Sequence, residues 1–148
     1  MTPDDPIVRA FLEKSLVARI ATRSPKGWPA LTPLWFVCAG GRLYTTTGRE
    51  TLAARNAAAT PAVAVLLDAE AGGASAHVLR LCGRALVRPG LPAWPILARM
   101  AIKYYLGGWH SELAHAARWN LRRGYYAQSD GVTSEIAPES ADLLRRPG

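Results

Sequence analysis

The sequence predicts a single mainly β domain of the α+β class. About six strands close into a barrel, with a short helix after the third strand and a helical insertion before the last strands. Three observations carry this. LVARIATRS (16–24) alternates apolar and polar residues as a strand does, and several later runs are strand-like in composition. The runs are short and punctuated by turn formers, with 13 glycines and 11 prolines in 148 residues. Helix-forming composition is confined to residues 6–15, 48–59 and about 94–118. At 49% hydrophobic, the chain is long enough for one well-filled core and short for two. It carries no internal repeat, low-complexity segment or linker, so residues 1–148 are read as one domain.

In chain order, Ile7, Val8, Phe11 and Leu12 fall at helical spacing, with Asp4 and Asp5 suited to the first turn. LVARIATRS (16–24) alternates as a strand and SPKG turns it into a longer strand, WPALTPLWFVC (28–38). AGG closes a hairpin into RLYTT (42–46). Pro33 lacks a donor, so it belongs on an edge, at a bulge, or where backbone faces a ligand. After the helix, Pro61 precedes the strand AVAVLLD (62–68), and AEAGGASA (69–76) reads as a flexible loop. HVLRLCGRALVR (77–88) is a long strand with a bulge or bend at Gly83. Past the insertion, NLRRGYYAQS and VTSEIA form the closing strands around a turn at Asp130 and Gly131. A strand-dominated meander of this length removes its edges by closing.

The stretch TTTGRETLAARN, where a strand gives way to a helix, is the candidate binding element. Thr47-Gly48-Arg49-Glu50 satisfies the S/T-x-x-E capping box, with Thr47 as N-cap and Glu50 reaching back. On that register Thr51 and Arg55 follow at steps of four, so hydroxyls and a guanidinium share a face. A helix N-terminus with Arg49 and Arg55 beside it suits a phosphate. An ordinary capped helix with solvated arginines satisfies the same spacing.

Composition restricts the alternatives. The net charge is +7, and of 18 basic residues only Lys14, Lys26 and Lys103 are lysines. The arginines are scattered, without a basic helix face or an aromatic RNA-binding pattern, which argues against nucleic acid. No apolar run approaches the ~20 residues that span a bilayer. Nothing resembles a secretory leader, so the expected location is cytoplasmic. Cys38 and Cys82 sit in apolar strands without metal-ligand spacing and read as buried free thiols. His110 and His115 are five apart, a poor pair for a metal, and no metal site is expected. Trp94, Tyr104, Tyr105, Trp109 and Trp119 read as core or interface, or as part of a lid that brings Lys103 or Tyr104 towards a substrate.

TPLWFVCAGGRLYTTTGRETLAARNAAATPAVAVLLDAE resembles the signature of the pyridoxamine 5′-phosphate oxidase-like proteins, split-barrel flavin binders that include enzymes using the deazaflavin F420. The matching elements are Thr32 to Phe36, Thr46 to Arg49, Arg55-Asn56 and Pro61. The preceding hairpin and HVLRLCGRALV also fit, so the resemblance covers roughly residues 6 to 90.

The resemblance implies a six-stranded split β-barrel and a homodimer with cofactor sites at its interface. It assigns Thr47, Arg49, Thr51 and Arg55 to the phosphate of FMN, or alternatively F420. Thr32, Pro33, Leu34 and Trp35 become the ring-facing strand. Where many relatives carry a basic pair, this chain has Leu52 and Ala53. The function implied is an FMN- or F420-dependent oxidoreductase acting on a small organic substrate, with no catalytic side chain assigned. The alternative is a non-catalytic, stress-related split barrel with a weakened or empty pocket.

Overall fold

A computed structural model of the chain describes residues 1–68, 76–106 and 131–145. Helix α1 (Pro6–Lys14) opens the domain. Pro6 starts it and the Asp5 side chain accepts the Ile7 N–H at 2.9 Å, which satisfies a donor that has no partner inside the helix. Val8 and Phe11, one turn apart, are its buried residues.

Seven strands follow among the described residues: β1 (Ala18–Arg23), β2 (Pro29–Leu34), β3 (Phe36–Ala39), β4 (Arg42–Gly48), β5 (Ala62–Leu67), β6 (His77–Pro89) and β7 (Gly131–Arg145). Helix α2 (Leu52–Ala59) joins β4 to β5. Helix α3 (Trp94–Ala101) follows β6 and runs into a π-helical turn (Ile102–Leu106). The strands form one antiparallel sheet in the order β2-β1-β5-β6-β7-β4-β3. Its inner face holds the core of Ile20, Phe36, Leu43, Val65, Leu67, Leu79, Leu81 and Ile136, with Val8 and Phe11 of α1 packed in.

The predicted alternation therefore holds, and its details shift where the sheet imposes its own geometry. The strand expected over 28–38 is two strands broken at Trp35, which makes seven among the described residues. β2 pairs with β1 at one end of the sheet, while β3 pairs with β4 at the other. The sheet is not closed by hydrogen bonds, and the covalent chain through Trp35 joins its ends. Pro29 and Pro33 lie on the edge strand β2, where a missing donor costs least. β7 runs well beyond the expected VTSEIA because it pairs with β4 on one side and β6 on the other.

The bulge expected at Gly83 is present, a register shift between Cys82 and Gly83. A Cβ at Gly83 would lie 2.2 Å from the Ala137 carbonyl oxygen, so any larger residue would force the two backbones apart. The loop at 69–75, the strand expected at 120–129 and the turn at Asp130 lie outside the described residues, as do Trp109, His110, His115 and Trp119.

Candidate functional site

The strand-to-helix turn brings Thr47 and Thr51 together, with their hydroxyl oxygens 3.1 Å apart. The Thr51 hydroxyl donates to the Gly48 carbonyl at 2.8 Å and accepts the Ala54 N–H at 3.3 Å. Thr51 is thus the N-cap of α2, not Thr47, and the helix begins at Leu52 rather than 48. The reason is tertiary: Thr47 and Gly48 pair with Val132 and Gly131 of β7, and the ladder holds them extended past the point where local capping would start a helix. Glu50 then precedes the N-cap and cannot act as the partner in a capping box.

Leu52 and Ala53 are the first two helical residues, whose N–H groups have no acceptor inside the helix. Arg49 and Arg55 are exposed and form no ion pair with any described residue. This donor set fits a phosphate-like anion: two guanidinium forks beside the positive end of a helix. At the positions of the basic pair of many relatives, Leu52 is exposed while Ala53 is buried against the sheet. Helix α2 is held down by Asn56, whose side-chain amide donates to the Thr22 hydroxyl of β1 at 3.2 Å. The motif reading did not assign Asn56 this role, although its place between Ala53 and Ala57 on the apolar face was the available signal.

The other predicted residues lie on β2 and at the seam. Thr32 and Leu34 are half-buried and Pro33 is exposed, while α2 lies against β2. Trp35 is stacked on Tyr104, with ring centroids 4.5 Å apart and planes 4° from parallel. The Tyr104 hydroxyl accepts the Phe36 N–H at 2.8 Å and lies 2.7 Å from the Phe36 carbonyl and 2.9 Å from that of Leu16. The Lys103 ammonium donates to the same Phe36 carbonyl at 3.1 Å and sits 3.6 Å from the centre of the Phe36 ring. Tyr104, read as core or interface, packs against the buried cluster of Val37, Ile96 and Met100, and with Lys103 it satisfies the backbone where the strand breaks, in place of the alternative in which either faces a substrate from a lid. Trp94, expected in core or interface, is 77% exposed in the chain.

Burial lowers the Lys103 pKa to about 8, partly opposed by the neighbouring Cys38. The carbonyl and the aromatic face both favour the ammonium, but desolvation prevails. Burial likewise pushes the Cys38 thiol up to about 11, against the pull of Lys103 and Arg99. Cys38 and Cys82 are free and only half-buried. Among the described residues no group of three or more His, Cys, Asp or Glu could hold a metal, and no helix is long and apolar enough to cross a membrane.

The antiparallel sheet, open between β2 and β3 with an arginine-flanked turn after its fourth strand, is a split-barrel fold. The sequence profile of the pyridoxamine 5′-phosphate oxidase family matches residues 5–129, and the chain belongs to that family. Among curated protein sequences none matches this chain. Similar solved structures include an F420 reductase, 19% identical with a TM-score of 0.63, over 90% of this chain and 94% of that one. A putative pyridoxamine 5′-phosphate oxidase from Listeria innocua is 20% identical with a TM-score of 0.62, over 95% and 97%. The heme storage protein HutZ from Vibrio cholerae is 17% identical with a TM-score of 0.68, over 98% and 95%. At these identities the likeness is one of fold.

Proposed function

We propose that the protein is a cytoplasmic homodimer that binds FMN, or F420 in its place, at the subunit interface and exchanges electrons with a small organic substrate. The observation that carries this reading is the pair of exposed guanidiniums, Arg49 and Arg55, at the start of a helix that lies against β2. The bound cofactor supplies the hydride chemistry. Arg49 and Arg55 pair with its phosphate, and Leu52 and Ala53 offer backbone N–H groups to the same oxygens. Thr47 and Thr51 hold the turn in shape. Thr32, Pro33, Leu34 and Trp35 provide the strand that the ring rests on, and Pro33 contributes no N–H that a missing strand would leave unpaired.

A second reading is a non-catalytic ligand-binding or stress-related barrel. The neutral pair Leu52 and Ala53 favours it, and so does Tyr104, which occupies one face of the Trp35 ring. The likeness to a heme storage protein makes heme the third ligand to test. The experiment is a titration of dialysed protein with FMN, F420 and heme, followed by ligand fluorescence or the heme absorption band. Saturable micromolar binding of FMN or F420 supports the oxidoreductase reading; binding of heme alone, or of none, replaces it with the second.

A further inference from the structure

A cavity of about 420 Å³ opens between α1, β3, α3 and the π-helical turn, sharing no lining residue with the α2 turn. Leu12 and Val37 form apolar walls, and Lys103, Arg99, Cys38 and Glu13 bring the polar groups. Arg99 donates to the Cys38 carbonyl at 3.3 Å, which leaves other N–H groups of its fork for a ligand. Lys103 has no carboxylate partner among the described residues: Glu13 shares the cavity but forms no ion pair with it.

We infer that this cavity is a carbonyl-capture site, in which the Lys103 amine condenses with the aldehyde or α-keto carbon of a small carboxylate-bearing compound held by Arg99. A lysine desolvated against apolar surface and placed next to another cation is the usual environment of an imine-forming amine. Burial brings Lys103 to about 8, so a useful fraction is neutral near pH 7.5. Of the groups lining the cavity with it, Cys38 from β3 pulls the Lys103 pKa back up in part, while Arg99 from α3 stands one helical turn before Lys103 and Glu13 from α1 forms no ion pair with it.

The neutral amine keeps an N–H for the Phe36 carbonyl while its lone pair attacks the carbonyl carbon. The carbinolamine then loses water to give the imine. No electrons are transferred, so the step needs no further reactant.

The chain has three lysines, which makes the test clean. The full chain, without added FMN or F420, is treated with glyoxylate and cyanoborohydride, which reduces any imine to a stable secondary amine. Peptide mass spectrometry then scores Lys14, Lys26 and Lys103 separately. Expected is half-labelling of Lys103 at a glyoxylate concentration at least tenfold below that for Lys14 or Lys26, with a preference for glyoxylate over acetaldehyde. Arg99→Ala should remove that preference, and unfolding in urea should equalise the three sites. Equal labelling of the three lysines in the folded protein, or labelling of Lys103 indifferent to the carboxylate, overturns the assignment. Because no cofactor is present, the outcome is independent of the flavin reading.

Discussion

The strand break at Trp35 and the turn from β4 into α2 both interrupt the sheet beside the candidate site, yet they are built in opposite ways. The turn is closed by its own residues once β7 has fixed the end of β4: Gly48, Thr51 and Ala54 satisfy one another within seven residues of chain. The break depends on groups far away in sequence, since Phe36 is completed by Tyr104 and Lys103. A local turn can present ligand-binding side chains at small cost to the fold. The break binds its own chain and gives the sheet its integrity.

Four measurements would sharpen or break that contrast. Tyr104→Phe removes the hydroxyl that serves the fully buried Phe36 and should cost about 2–3 kcal/mol in urea unfolding, the penalty for a buried donor left without a partner. A loss under about 0.5 kcal/mol would show that the break supports itself. Arg49→Ala should do the reverse, weakening FMN or F420 binding at least tenfold, about 1.5 kcal/mol for one charge-assisted bond, with the melting curve unchanged. Equal affinity removes Arg49 from the phosphate site. Thr51→Ala should cost about 1 kcal/mol, the worth of an N-cap, and no change would mean that Gly48 and the β7 ladder alone fix the turn.

The smallest effect is on pH dependence. Lys103 ionises near 8 in the folded chain and near 10.5 when unfolded, so above pH 8 the unfolded state binds the extra proton and stability rises with pH. Cys38 acts oppositely above about 9, its ordinary value, because its folded pKa is about 11. The Lys103 contribution should therefore appear as a rise between pH 8 and 9, seen as the difference between wild type and Lys103→Met. Parallel curves would mean that Lys103 is better solvated than its place beside Phe36 indicates.

The same contrast explains what could be read from the sequence. Alternation, the Gly83 bulge, the edge position of Pro33 and the helix opening near Asp5 all follow from properties of one or a few adjacent residues. The N-cap was misplaced by four residues because β7, eighty positions away, decides how far β4 stays extended. The break at Trp35 was invisible because residues 34–38 are continuously apolar with no turn former among them, and only the order of strands requires the chain to change partners there. The hydrogen bonds of Tyr104 and Lys103 to Phe36 could not be read for the same reason, since their partner lies nearly seventy residues away. Arg49 before the N-cap and Arg55 in the first turn of α2 are both exposed, and their separation along the chain follows from the motif alone.

The strand order also bears on how the chain is made. β7 sits between β6 and β4, yet it follows all the other described strands in the chain. Until residues 131–145 leave the ribosome, the β3–β4 hairpin and the β2-β1-β5-β6 group remain tethered through Trp35 with no strand between them, each with an open edge. Joining of the two groups should thus wait for β7, and a chain stalled before it would expose two ready templates for aggregation.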